Sequence, residues 1–203
     1  MRHPVIAAAT LLSSISWATT WDIDPSHSSA QFKVRHMMIT DVKGEFGKVT
    51  GVVNIDDTNV AKSTAEATID ATTINTREPN RDKHLKSPDF FDVEKFPTIT
   101  FKSTSFKKTG DGRYSVGGDL TIHGVTKPVV LEVNAPDREV KDMRGTIKRG
   151  ATATTRVNRK DFGLLWNKPV EAGGVLVGDE VDITIDMELA KKGDAPKSAK
   201  TTN

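Results

Sequence analysis

Most of the chain between residues 20 and 190 alternates between apolar and polar side chains, and this alternation restricts the fold to β-structure. Successive side chains of a β-strand point to opposite faces, so a strand with one buried face has a period of two. The clearest run is 180-EVDITIDMELA-190, in which Val181, Ile183 and Ile185 face the same way. We expect this apolar face to be buried and the acidic and threonine side chains to face solvent.

Eight runs of this kind can be identified, and short polar or glycine-containing links join most of them. They lie at 29–36, about 42–55, 64–71, about 97–107, about 113–122, about 127–134, about 145–157 and 180–190. Tight links join neighbouring strands in antiparallel fashion, as at Gly110-Asp111-Gly112 and 123-HGVT-126. Long strands without obvious edge protection favour closure into a barrel over a two-sheet sandwich, which is the alternative. The pattern predicts an all-β, eight-stranded antiparallel barrel.

Several positions that we expect to face the barrel interior carry very small side chains. They are Ala65, Ala67, Ala71, Gly118, Ala151 and Ala153. An eight-stranded barrel is either filled by side chains or just wide enough to hold one small ligand. Small interior residues favour a ligand cavity, but the same residues also suit a tapering barrel or the insertion of aromatic rings. Both interpretations remain open at this point.

The first 18 residues have the composition of a secretory signal peptide. Arg2 precedes a mostly apolar run, Val5–Ile15, and 16-SWA-18 supplies small residues for cleavage. The alternative is an apolar first strand. We predict a signal peptide at 1–18, which implies export, and a folded domain at 19–190.

The charges are unevenly distributed, with the positive excess in the lysine-rich tail 191-KKGDAPKSAKTTN-203. We expect this low-complexity tail to be disordered. Removing Arg2 with the signal peptide, and four lysines and one aspartate with the tail, leaves 24 basic and 26 acidic residues. A nucleic-acid-binding domain concentrates positive charge on its folded surface, so we expect no nucleic-acid partner. No later apolar run approaches the roughly 18 residues of a membrane span, so we do not expect an integral membrane protein.

Cysteine is absent from the chain. An exported domain of this composition must therefore be stabilised by its core and not by disulfides. Thiol nucleophiles, cysteine-ligated zinc and covalently attached haem are excluded by the same count.

The segment 77-REPNRDKHLKSPDFF-91 departs from the alternation and predicts one short helix, at about 77–87. Pro79 suits only the first turn, and Ser87-Pro88 ends the helix. The spacing of Arg77, Arg81 and His84 would place all three on one face.

Four interpretations of this basic face are considered. In the first, the face is a solvated surface with an Asp82–Lys86 ion pair, and in the second, Arg81 or Asp82 binds strand-end backbone and braces the helix. In the third, the face is a site for a polar or anionic head group, and in the fourth, it is a metal or catalytic site. Arginine suits phosphate or carboxylate, and His84 adds a donor. Convergence of His27, His36 and His84 on zinc is the weakest idea, because no other metal motif accompanies them.

The segment 158-NRKDFGLLWNKPVEAGGVLVG-178 is long for a link within a compact barrel. Long loops with apolar side chains often act as lids or plugs. We expect Phe162 to be packed and Leu165 and Trp166 to lie near the barrel opening.

Six blocks of sequence resemble, in order, those of the YceI-like family of bacterial polyisoprenoid-binding, lipocalin-like proteins. They are 21-WDIDPSHSSAQFKVRH-36, 44-GEFGKVTGVVNID-56, 81-RDKHLKSPDFFDVEKFPTITFKST-104, 118-GDLTIHGVTKPVVLEV-133, 158-NRKDFGL-164 and 178-GDEVDITIDMEL-189. The resemblance implies a lipocalin-like barrel with an added helix and an apolar lumen that holds an isoprenoid or fatty-acyl chain. It also implies a periplasmic location and the ability to form a homodimer.

From the residues and the resemblance together, we expect a non-enzymatic periplasmic protein that binds, transports or sequesters a long-chain lipophile inside the barrel. The ligand would be of polyisoprenoid, isoprenoid quinone or fatty-acyl type, with no cofactor, catalytic residue or metal site. The residues expected to contact it are Phe32, Val34, His36, Ile69, Arg81, His84, Phe91, Phe101, Phe162, Leu165 and Trp166. The alternatives are a lipid-modifying hydrolase or isomerase, and a stress-related structural protein with a filled lumen.

Overall fold

The computed structural model describes residues 18–171 and 173–193, and in this part of the chain nearly all regular structure is β-strand. The strands are β1 (Thr19–Ile23), β2 (Ser29–His36), β3 (Thr40–Phe46), β4 (Val49–Ile55), β5 (Thr64–Asp70), β6 (Thr98–Gly110), β7 (Arg113–Ile122), β8 (Val125–Asn134), β9 (Val140–Lys141), β10 (Ile147–Asn158) and β11 (Val177–Lys191). One α-helix, α1, spans Pro79–Lys86, and 3-10 turns span Val60–Lys62, Ala71–Thr73 and Arg159–Phe162.

Eight of these strands form a closed antiparallel barrel. The circuit runs β11-β1-β4-β5-β6-β7-β8-β10 and closes where β10 pairs with β11. The closing pair is long, with partners from Lys148↔Ala190 to Asn158↔Glu180. The predicted all-β, eight-stranded antiparallel barrel is confirmed, and the two-sheet sandwich is not the fold.

The remaining strands extend the barrel wall and correct the predicted boundaries. β2 follows β1 along the same edge of β11, and β3 pairs with β2. The run predicted at 42–55 is therefore two strands, β3 and β4, separated at Gly47-Lys48, where Lys48 adopts a φ of 52°. β1 and the two-residue β9 were not among the predicted runs, because five or fewer residues give too little alternation to recognise.

Two of the predicted turns reverse the chain with left-handed backbone. Gly112, with a φ of 62°, ends the β6–β7 link, while His123 and Gly124, with φ values of 52° and 74°, form the β7–β8 link. A residue pair with positive φ matches the twist of a hairpin. The second turn is shorter than the predicted 123–126 link, since β8 already begins at Val125.

The barrel has two distinct ends. At the helix end lie α1, the β2–β3 hairpin, the β7–β8 turn and the long loop before β11. At the opposite end lie the 60–62 turn, the β6–β7 hairpin and the segment that joins β8 to β10. The chain termini of the described domain are also at this opposite end, because Trp21 of β1 pairs with Lys191 of β11.

The helix forms at the predicted place but is slightly shorter than predicted. Pro79 occupies the first turn, the Glu78 carboxylate accepts from the backbone N–H groups of Asn80 and Arg81, and Ser87 ends the helix. None of the helices within the described residues has the length and apolar character needed to cross a bilayer. The predicted signal peptide, apart from Ala18, and residues 194–203 of the predicted tail lie outside the described residues.

Candidate functional site

A cavity of about 220 Å³ lies inside the barrel, and residues from both ends line it, from Leu85 and Phe90 at the helix end to Tyr114 and Ala135 at the opposite end. A single water needs only about 10–15 Å³, so this interior is far from filled. The lining is almost wholly apolar, and all five alternate residues of β11, from Val181 to Leu189, contribute to it. The predicted inward face of that strand is confirmed.

Four of the six small residues that were predicted to face the interior line this cavity. Ala65 and Ala67 of β5 and Ala151 and Ala153 of β10 line the cavity, whereas Ala71 is buried outside it. Gly118 has a different role, because the Phe101 ring would overlap with a Cβ atom at this position. The alternatives left open by the sequence therefore both occur. Alanines leave a hollow, and one glycine admits an aromatic ring.

Six of the eleven predicted contact residues line the cavity, and five do not. The lining includes Phe32, Val34, Ile69, Phe91, Phe101 and Phe162. Outside it lie His36, Arg81, His84, Leu165 and Trp166. Contact between any of these residues and a ligand remains a prediction.

Arg81 and Asp82 hold the start of α1 against the segment that precedes it. The Arg81 guanidinium donates to the Thr76 hydroxyl at 2.7 Å and to the Thr76 carbonyl at 2.8 Å. The Asp82 carboxylate accepts from the Thr76 N–H at 2.8 Å and from its hydroxyl at 2.5 Å. This is the bracing arrangement proposed from the sequence, although the backbone bound is that of Thr76 and not of a strand end.

The prediction that Arg77, Arg81 and His84 share one face of the helix is wrong. Arg77 precedes the helix with a φ of 65°, so it does not share a helical face with Arg81 and His84. Asp82 is committed to Thr76, and no Asp82–Lys86 ion pair is present among the described residues.

His84 belongs to an aromatic cluster on the outside of the helix end. Its ring packs edge-on against Phe90 and Trp166, with ring centres 5.0 and 4.8 Å away, and its Nε2 lies 2.8 Å from the Asp89 carboxylate. Phe90 lines the cavity, so His84 and Trp166 form a layer behind the lining and not part of it. Leu165, at 64% exposure, lies outside this layer.

Arg159 organises the long loop, and no role was predicted for it from the sequence. It is 4% exposed, and its guanidinium donates to the carbonyl oxygens of Leu164, Trp166 and Gly178 and to the Asp179 carboxylate. Burial lowers its pKa, while Asp179 acts in the opposite direction. One buried cation thus links the start of the loop to Gly178 and Asp179 at the start of β11. The sequence signal that could have indicated this role is the position of an arginine directly after β10, a strand whose alternate residues face the cavity.

A polar cluster lies on the barrel wall around Lys148. Its ammonium group is 2.8 Å from Asp24 and 2.9 Å from Glu188, and His27 Nδ1 lies 3.1 Å from Asp24. These hydrogen bonds lower the pKa of Asp24, chiefly through Lys148, and raise the pKa of Lys148. Asp24, His27 and Glu188 are the one set of histidine and carboxylate side chains among the described residues close enough to share a metal ion, but the Lys148 ammonium already binds both carboxylates. The proposed convergence of His27 with His36 and His84 does not occur.

Comparison with known proteins gives matches over almost the whole barrel. A family model for the YceI-like domain matches residues 21–189. A UPF0312 protein of Vibrio cholerae serotype O1 is 38% identical over 143 residues, which are 70% of this chain and 75% of that protein.

Two solved structures share the fold at lower identity. Burkholderia cenocepacia BcnA is 23% identical with a TM-score of 0.70, covering 82% of this chain and 99% of that one. A polyisoprenoid binding domain from Saccharophagus degradans is 14% identical with a TM-score of 0.62, covering 84% of this chain and 98% of that one.

Proposed function

This chain belongs to the YceI-like family, and on that premise we propose that it binds a long-chain lipophile inside its barrel without transforming it. The ligand is of polyisoprenoid, isoprenoid quinone or fatty-acyl type, and the protein carries or sequesters it in the periplasm. The observation that carries the proposal is the apolar cavity inside the barrel, which is lined by residues from both of its ends. The Saccharophagus domain is described as binding polyisoprenoids, and its similarity to this chain is one of fold.

The driving force for binding follows from the lining. Each methylene moved from water into an apolar environment contributes about 0.8 kcal/mol, so a chain needs no polar contact to bind tightly. The shape of the cavity, long and enclosed by strands, suits an extended chain better than a compact molecule.

The polar residues of the lining argue against catalysis. Hydrolysis or isomerisation needs a nucleophile with a base, or carboxylates with tuned pKa values. The described lining contains no histidine, and its one carboxylate, Glu66, is ion-paired with Lys102 at 2.9 Å and is largely exposed. His84, the earlier candidate for catalysis, is separated from the cavity by Phe90.

A chain-length series tests the proposal. Fatty alcohols of increasing length should displace a neutral fluorescent probe with an affinity that rises about fourfold per methylene. The increase should stop at the length that fills the cavity. An affinity that is independent of chain length would contradict binding inside the barrel, and turnover of a matching lipid ester that is abolished by His84→Ala would favour an enzyme.

A further inference from the structure

The cavity carries an arginine at the end opposite the helix. On β10, Lys148 points outward to Asp24 and Glu188, so the next residue, Arg149, points inward and lines the cavity. Its position is fixed by pairing with Leu189 of β11, close to the end of the barrel.

The side-chain donors of Arg149 have few hydrogen-bond acceptors within the protein. Its Nε is buried without a hydrogen-bond partner, and the only hydrogen bond of its guanidinium among the described residues is a long one, 3.4 Å from Nη2 to the Ala135 carbonyl. No described carboxylate forms an ion pair with it. Buried polar groups almost always have partners, so each exception needs an explanation.

The second buried donor without a partner lies beside the first. Trp21 is 1% exposed, and its Nε1 has no acceptor. The guanidinium carbon of Arg149 is 5.4 Å from the centre of the Trp21 ring, and the Lys191 ammonium is 5.8 Å from it. The Trp21 ring therefore packs beside two cations at this end of the barrel, although Trp21 itself does not line the cavity.

The other arginine of the lining shows what a structural role looks like. Arg159, at the helix end, donates to the Trp166 carbonyl of the long loop and to the Gly178 carbonyl and Asp179 carboxylate at the start of β11. Arg149 has no comparable set of acceptors, although it borders the same cavity. The guanidinium of Arg149 therefore has donors left for an acceptor outside the chain.

We propose that Arg149 binds the oxyanion head group of an amphiphile whose chain occupies the cavity. The proposal rests on the proposed function and assigns the chemistry and the direction of the ligand. A carboxylate or phosphate supplies oxygen acceptors that match the planar donors of a guanidinium. Tyr114, which lines the cavity on nearby β7, adds a hydroxyl at the same end.

This direction is the reverse of the one expected from the basic helix. The head group lies opposite α1, and the tail points toward Phe90 and Phe162 at the helix end. Arg81 and His84, which are engaged by Thr76 and Asp89, take no part in recognising it.

The test uses ligands with one chain and different heads. Dodecanoate, dodecyl phosphate and dodecan-1-ol displace a neutral fluorescent probe from the full-length protein and from three variants. Arg149→Met keeps an unbranched stem against Trp21 but removes the charge and the donors. We expect this variant to lower the affinity for both anions by about tenfold to a hundredfold, as for the loss of a charged hydrogen bond. The affinity for the alcohol should change by less than about twofold.

Two further variants keep the test decisive. Arg149→Lys keeps the positive charge but lacks the planar pair of guanidinium donors, so we expect an intermediate loss of affinity for the two anions. This variant replaces Arg149→Met if Arg149→Met fails to fold. Arg156→Met, on the same strand but pointing outward to Asp182, is the matched control and should leave all three affinities unchanged.

The possible outcomes distinguish the head-group site at Arg149 from the proposed binding of a lipid in the cavity. Equal effects of Arg149→Met on the alcohol and the anions, or no effect on the anions, would overturn the head-group site while leaving the cavity as a binding site. Failure of all three ligands to bind the unaltered protein would instead overturn the proposed function. Loss confined to dodecanoate or to dodecyl phosphate would support the site and identify its anion.

Discussion

Replacing Ala67 by leucine should weaken ligand binding and leave the empty protein at least as stable as before. Ala67 lies in the middle of β5, between Gly51 on one neighbouring strand and Phe101 on the other, and its side chain lines the cavity. A larger side chain here extends into unfilled space. The same change in a filled interior would instead cause overpacking and loss of stability.

The size of the effect follows from the number of carbon atoms. Leucine adds three carbons to alanine, and each one that displaces a ligand methylene removes about 0.8 kcal/mol of binding. A one-for-one displacement therefore costs about 2.4 kcal/mol, or roughly a sixtyfold loss of affinity. The empty protein gains apolar contacts from the same three carbons, so its free energy of unfolding should stay equal or rise.

Probe displacement by dodecan-1-ol measures the affinity, and urea denaturation without ligand measures the stability. Thr68→Leu provides the control, because Thr68 is the next residue on β5 and points away from the cavity. It should leave the affinity unchanged. Unchanged affinity in Ala67→Leu, combined with a loss of stability, would show that the interior is already full and would refute the reasoning.

Three further predictions concern polar groups. Arg159→Met should lower the free energy of unfolding by about 3–5 kcal/mol in urea, because it leaves the loop carbonyls buried without donors; a loss below about 1 kcal/mol would be inconsistent with that role. Arg81→Met should cost about 1.5–3 kcal/mol and speed amide exchange in α1, while the preference between charged and neutral lipids stays the same; an altered preference would restore Arg81 as a head-group contact. Lys148→Met should cost about 1–2 kcal/mol at neutral pH. The pKa of Asp24 is lowered in the folded protein, so this stabilisation is complete above the ordinary value near 3.8 and is lost as the pH falls below it. Denaturation from pH 6 to 2.5 should therefore show a shrinking difference from the unaltered protein, and a constant difference would exclude the ion pair as its source.

The alternation of side chains was enough to predict the barrel, because burial on one face leaves a direct record in the sequence. The five inward residues of β11 illustrate this, as does the placement of Ala65 and Ala67 on the lining. β1 was missed because it is five residues long, and the break between β3 and β4 was missed because a single left-handed residue, Lys48, interrupts an otherwise continuous pattern.

The polar part of the site was much harder to predict. The role of Arg81 depends on Thr76, five residues earlier, and that of Arg159 depends on carbonyl groups up to 19 residues away. Spacing on an ideal helix placed Arg77 beside Arg81, but the helix begins only at Pro79. In the sequence, Arg149 looks like any other residue of a strand. Only the structure shows that its side-chain donors lack hydrogen-bond partners.

Native mass spectrometry of the protein purified from its own source tests the central claim most directly. The account predicts one long-chain amphiphile per chain, released intact on denaturation, and its displacement by an added fatty acid. Protein that arrives with an empty barrel and acquires no mass when titrated with prenyl or acyl lipids would contradict it.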